Sequence, residues 1–144
     1  FMHVEDAALC FANIVGRLDC IGQTYNMVNR GFVTWETHHK TAMQVLGNEV
    51  SLVGVPLQDL MKFDIPNSGI CRDIFAHNTL YSAERLFRDV PEFQPRISLA
   101  EGMSRVMGAL DREGRIPNSD AIDWEDRIIA AQRQVAGKAV QESQ

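Results

Sequence analysis

Three polar residues near the middle of the chain, Arg72, Asp73 and His77, have side chains suited to binding. They lie at the end of, and just after, residues 64–73, where proline, asparagine, serine and glycine predict a loop. Long loops on a rigid scaffold often carry binding residues. An exposed Arg–Asp ion pair is also common and contributes about 0–1 kcal/mol. Ligand binding and structural pairing therefore both stay open for Arg72 and Asp73, and His77 is open between a surface role and a position in a cleft.

The other reactive residue types form no catalytic or metal-binding pattern. Cys10, Cys20 and Cys71 include no Cys-x-x-Cys pair, and an odd number of cysteines cannot all pair within one chain. They are interpreted as small core residues in a reducing, cytoplasmic protein. His38 and His39 are adjacent, so on a helix they diverge by about 100° and cannot hold one metal ion together. We predict no metal site.

The amino-acid composition is typical of a globular protein and predicts that the chain folds as one unit. Its 144 residues are 45% hydrophobic and carry a net charge of −5 without a basic stripe. Nucleic-acid binding depends chiefly on clustered Lys and Arg and is therefore not expected. No run approaches the roughly 18 consecutive apolar residues of a membrane helix, so no membrane span is predicted.

Apolar spacing and end signals predict six helices. A short polar side chain at an N-cap accepts hydrogen bonds from the first turn, and a glycine commonly ends a helix. Asp6, Thr34, Ser82 and Ser98 are placed for the first role, and Pro56 can open a helix at its first position. The predicted helices are Asp6 to Arg17–Asp19, Thr34 to Gly47, Leu57 to Phe63, Ser82 to Arg88, Ser98 to Gly114, and about Asp123 to Val135.

Strand-forming residues predict short strands at residues 23–28, 50–55 and 75–81. Alternating with the helices, they indicate an α/β chain, mixed and rich in helix.

The order of the motifs resembles a known family. The relevant segments are His3-Val4-Glu5-Asp6-Ala7-Ala8, Gly22-Gln23-Thr24-Tyr25-Asn26, Thr34-Trp35-Glu36, Asp73 with Ser82 to Arg85, and Pro95 with Ser98 to Met103. On these segments the chain resembles the carboxy-terminal, substrate-binding part of the extended short-chain dehydrogenases/reductases, the NAD-dependent epimerase/dehydratase family. The resemblance runs from Phe1 to about Arg115 and implies a substrate-binding domain at 1–116, followed by a helix and polar tail at 117–144.

The resemblance also implies what this chain lacks. Family members bind NAD(P) through a glycine-rich turn in an amino-terminal Rossmann half and use a Tyr-x-x-x-Lys pair. Neither motif is present, and Tyr81 with Arg85 is no substitute because a forked guanidinium differs from a compact ammonium. Phe1 to Ala8 is typical of the interior of a protein. We therefore expect NAD(P) to bind a longer parent, and the fragment alone to be inactive, without cofactor-binding or catalytic residues.

The family's usual substrates imply a role for the central polar residues. Many relatives bind nucleotide-linked sugars, with an Arg-x-Gly-Asp-like element near the diphosphate. Here Ile70 stands at the position of that Arg, and Arg72 replaces the Gly. Either Arg72 has taken over the diphosphate, or the substrate is not a nucleotide sugar. On this resemblance Arg72, Asp73 and His77 are the substrate-binding candidates.

Two other functional classes stay open. Some proteins of this architecture are non-catalytic or RNA-associated, although the net charge of −5 argues against RNA here. The chain could also be a self-contained interaction domain whose resemblance is to the scaffold alone. Its expected protein partners are the missing Rossmann half and a second copy, because apolar surface such as the Trp124 face of the last helix has to be covered.

Overall fold

The fold is helical. A computed structural model describes residues 1–65 and 68–141, with backbone only for 136–141. Helix accounts for 54% of the chain, and no strand or sheet occurs in the described part. The prediction of an α/β fold is therefore wrong. The α-helices are α1 (Val4–Ile14), α2 (Trp35–Leu46), α3 (Leu57–Leu60), α4 (Glu84–Asp89), α5 (Leu99–Arg112) and α6 (Trp124–Gln141). Leu18–Cys20 and Ser119–Ala121 form 3₁₀ turns, and Cys71–Phe75 forms a π-helical turn.

The three predicted strands fail for one reason. Residues 23–28 and 50–55 have neither helix nor strand, and the π-helical turn enters the third predicted strand at residue 75. A strand exists only when a neighbour pairs with its backbone N–H and C=O groups, and the described residues supply no such neighbour. Residues 23–28 are instead held by side-chain hydrogen bonds to Ser82 and Asp89. The Tyr25 hydroxyl donates to Asp89 Oδ2 at 3.1 Å, and Asn26 Nδ2 donates to the Ser82 carbonyl at 3.2 Å.

Helices with strong local end signals match their predictions. Thr34 Oγ1 accepts from the Thr37 N–H at 3.1 Å, and Gly47 ends α2 in the left-handed region at φ 64°. Ser98 Oγ accepts from the Glu101 N–H at 3.2 Å at the start of α5. A left-handed residue suits glycine because it has no Cβ to clash.

Other helix ends differ from the predicted positions. Ser82 Oγ accepts from the Glu84 N–H, although α4 begins only after Ala83. The helix α3 ends at Leu60 instead of residue 63, and α6 extends beyond residue 135 to Gln141. The predicted loop at 64–73 is wrong from residue 69 onward, where the backbone turns helical. Within that loop Pro66 and Asn67 lie outside the described residues, as do residues 142–144 of the predicted tail.

The predicted N-cap of α1 is wrong. His3 caps this helix, because its Nδ1 accepts from the Glu5 N–H at 3.2 Å. Asp6 lies within the first turn and is only 3% exposed. Its carboxylate accepts from the backbone N–H groups of Arg96 and Ile97, each at 3.0 Å. A side chain predicted to serve its own helix is therefore bound to a segment 90 residues away.

The chain forms two compact units. One consists of Phe1–Val50 with Thr79–Arg115, and the other of Ser51–Asn78 with Ile116–Gln144. The first contains a core in which Leu86, Val90 and Phe93 are fully buried together with Cys10. In the second, Ile65 and Ile128 are buried. The predicted domain boundary at residue 116 stays a prediction.

The helix α1 has apolar side chains on two sides. Cys10 is buried in the core of the first unit, and Ile14, one turn later, packs against that core. Val4 and Phe11 also lie on one common face, and they are 72% and 58% exposed. A surface helix normally has one apolar stripe, so α1 has more apolar surface than its own unit covers. None of the described helices is long and apolar enough to cross a membrane.

Candidate ligand-binding grooves

The structure places the residues predicted from the sequence in the second unit. Arg72 and Asp73 belong to the π-helical turn, and His77 follows it closely; all three are exposed. The Arg72 guanidinium binds Asp73 at both oxygens, with Nε to Oδ1 at 2.7 Å and Nη2 to Oδ2 at 3.0 Å. Those hydrogen bonds lower the pKa of Asp73, and the charge of His77 lowers it further. Arg72 and Asp73 thus occupy each other, and their role in substrate binding stays a prediction.

The first unit contains a groove between α2, α5 and the amino-terminal segment, with a volume of about 600 Å³. We call it the apolar groove, because most of its lining is hydrocarbon. The helices α2 and α5 pack against each other beside it. Representative lining residues are Phe32, Val33, Ala42, Leu46, Met103 and Val106. Volumes of about 300–1,000 Å³ are usual for small-molecule sites.

One polar atom in the wall of the apolar groove has no partner. His38 Nδ1 is buried and makes no hydrogen bond within the described residues. The His38 ring stacks on Phe1 with centroids 4.6 Å apart and meets Trp35 edge-on at 5.6 Å. Burial lowers the pKa of His38, and the charge of His39 lowers it further. The imidazole is therefore kept in its neutral form, in which one ring nitrogen donates a hydrogen bond and the other accepts one.

Two contacts with α1 and its N-cap hold the start of α5 at the other side of the apolar groove. Asp6 holds the backbone at Arg96 and Ile97, directly before α5 begins. At Gly102 the first turns of α1 and α5 approach so closely that an added Cβ would lie 3.2 Å from His3 Cδ2. The residues that carry the family resemblance near the start of the chain and near Ser98 are thus joined in space.

A second groove of about 510 Å³ lies between residues 28–33 and 79–84 of the same unit. We call it the polar groove, because its lining includes Asn29, Arg30, Thr79 and Ser82. The hydrogen bond from Asn26 to the Ser82 carbonyl links its two walls.

Arg30 in this groove was missed by the sequence reasoning. Its guanidinium carbon lies 3.9 Å from the centre of the buried Phe87 ring. The segment Asn29-Arg30-Gly31 had been interpreted only as a turn. The available signal was a lone cation inside that turn, but its contact with an aromatic ring 57 positions along the chain has no local sequence signature.

Tyr25 serves as a fixed donor beside this groove. Its hydrogen bonds with Cys20 and Asp89 raise the pKa of the phenol well above its usual value. A phenol held in its protonated form keeps donating to Asp89 and does not act as a base. Among the described residues, no cluster of three or more His, Cys, Asp or Glu side chains is arranged to hold a metal ion.

Comparison with known proteins gives no relative: no family model matches the chain, and neither curated proteins nor solved structures show a significant match.

Proposed function

We propose that this chain is the substrate-binding portion of an NAD(P)-dependent oxidoreductase that resembles nucleotide-sugar epimerases and dehydratases. The observation that carries the proposal is the pair of hydrogen bonds that the Asp6 carboxylate accepts from the backbone N–H groups of Arg96 and Ile97. They join two of the segments that carry the resemblance, one at the start of the chain and one at the start of α5, which lines the apolar groove. A buried carboxylate is costly unless it is fully hydrogen-bonded, so this contact is specific.

The apolar groove suits the less polar part of a substrate. Its lining presents the hydrocarbon of Val33, Ala42 and Met103, and His38 Nδ1 offers a buried hydrogen-bonding position. A groove with mostly apolar walls and few polar groups binds by burial and orients the ligand by the polar contact. In this proposal the chain binds and positions the substrate. NAD(P) and the acid/base chemistry are assigned to a nucleotide-binding portion that these residues do not include.

Calorimetric titration of the chain with UDP-glucose, GDP-mannose and NADH tests the proposal. We expect one of the sugar nucleotides to bind, no tight binding of NADH, and no turnover. Ala42→Trp fills the groove from α2 and is expected to abolish that binding. Ala100→Trp adds the same ring at an exposed position of α5 outside the groove and serves as the matched control.

Three results contradict the proposal. Turnover or tight NADH binding by the chain alone would show that it carries its own catalytic site. Binding of neither sugar nucleotide would remove the substrate assignment. Retention of poly(U) RNA at physiological salt would favour the RNA-associated alternative, which the net charge of −5 argues against.

A further inference from the structure

We propose that Arg30 forms an anion subsite in the polar groove and binds a phosphoryl group of a small-molecule ligand. The inference deepens the proposed function and rests on it for the rest of the ligand. The residues predicted for a phosphate, Arg72 and Asp73, neutralise each other in the second unit. Arg30 is the better-placed cation because its guanidinium lies over an aromatic ring and makes no ion pair within the described residues.

Two contacts restrain Arg30, one at its side chain and one at its backbone. The guanidinium carbon lies 3.9 Å from the centre of the Phe87 ring, and that ring is itself stacked on Phe93 with centroids 5.8 Å apart. The Arg30 backbone N–H donates to Asn29 Oδ1 at 2.9 Å, which restrains the turn that carries it. An arginine restrained before binding loses less conformational freedom when a ligand arrives.

The charge of the same guanidinium is not balanced by a counter-ion in the part of the chain that the structure describes. No ion pair to Arg30 occurs within the described residues, whereas Arg17 and Arg105 each bind two carboxylates. The five N–H donors of an arginine match the oxygens of a phosphoryl group in a two-point contact. Stacking on an aromatic face leaves the N–H groups at the guanidinium edge available. Arg30 therefore retains its full capacity for an anion.

The surroundings supply further hydrogen bonds. Ser82 Oγ accepts from the Glu84 N–H at 3.2 Å, which leaves the hydroxyl hydrogen of Ser82 to donate. Thr79 offers a second hydroxyl in the same lining. Glu84 also lines the groove, and its carboxylate opposes an anion. The site is thus expected to bind a phosphoryl group with moderate affinity, and more tightly when the Glu84 carboxylate is replaced by an amide.

Titration with inorganic phosphate and pyrophosphate at constant ionic strength, followed by NMR of the arginine side-chain N–H groups, tests this subsite. Arg30→Gln is expected to weaken binding by at least about tenfold, as for loss of a two-point arginine contact. Arg30→Lys keeps the charge and loses the fork, so it should fall between wild type and Arg30→Gln. Glu84→Gln is expected to strengthen binding. Acetate, a carboxylate of similar size, is expected to bind more weakly than phosphate.

The matched control is Arg112→Gln, which removes an exposed arginine of α5 outside the polar groove. Equal loss in Arg30→Gln and Arg112→Gln would show a general charge effect and overturn the subsite. Absence of phosphate binding to the wild-type chain would do the same. Sugar-nucleotide binding that is unchanged in Arg30→Gln would refute the subsite and leave the proposed function standing. Phosphate binding through Arg30 without binding of any sugar nucleotide would refute the proposed function alone.

Discussion

Removal of the Asp6 carboxylate is expected to destabilise the first unit strongly. Asp6→Ala leaves the N–H groups of Arg96 and Ile97 without their acceptor in a place that the surrounding protein largely covers. Each unsatisfied buried donor costs about 1–3 kcal/mol. Both hydrogen bonds are only partly buried, so relaxation and water reduce the sum, and we expect a loss of about 2–4 kcal/mol in the free energy of unfolding.

Urea denaturation followed by circular dichroism measures this loss. Asp6→Asn retains one acceptor oxygen and is expected to lose less than Asp6→Ala. Asp111→Ala removes an exposed carboxylate from α5 and should stay within about 0.5 kcal/mol of wild type. If Asp6→Ala changes stability no more than Asp111→Ala does, the Asp6 contact does not hold the groove wall, and the argument for the apolar groove fails with it.

Two further predictions concern the same unit. Gly108→Ala should stabilise α5 by about 0.5–1 kcal/mol, because an added Cβ meets only the flexible end of an arginine 3.6 Å away. Gly102→Ala should gain less or lose stability, because its Cβ would press on His3 Cδ2 at 3.2 Å; an equal gain in urea denaturation would contradict that close approach. The pKa of His38 is lower in the folded chain than in the unfolded chain, where it is about 6.5. As pH falls, His38 therefore takes up a proton more readily in the unfolded chain. Its contribution to the free energy of unfolding is present above pH 6.5 and is lost at lower pH. Between pH 7 and 5, His38→Phe should therefore lose less stability than wild type. His39→Phe removes only the smaller cause of the shift and should fall between the two; equal slopes for all three would refute the assignment.

The features that were predictable from sequence are the ones with local causes. Thr34 and Ser98 bond to N–H groups three residues away, and Gly47 ends its helix by its own backbone freedom. Such interactions act within one turn, so residue type and spacing are sufficient to place them. The strands at 23–28 and 50–55 failed because strand formation depends on a partner that the local sequence does not specify.

The site was less predictable than the helices. Asp6 has the right type and position for a cap, yet its partners lie 90 and 91 residues away. Arg72 was selected by its position in a motif, but an adjacent Asp73 supplies the nearest counter-charge. Arg30 becomes notable only when Phe87 lies beneath it. The outcomes at Asp6 and Arg30 depend on contacts between distant segments, which composition and periodicity do not encode. Arg72 and Asp73 are adjacent in sequence, and their pairing is one of the two alternatives that the sequence leaves open.

The discontinuity of the first unit has a consequence for its synthesis. Residues 1–50 and 79–115 are completed at different times, because 28 residues of the other unit lie between them in the chain. A ribosome adds about 5–20 residues per second. Roughly 5–20 seconds therefore pass between the synthesis of Asp6 and that of its hydrogen-bond donors, Arg96 and Ile97. During that interval both apolar sides of α1 are uncovered in the nascent chain. The nascent first unit is thus most exposed to chaperones and to aggregation before Arg96 and Ile97 have left the ribosome.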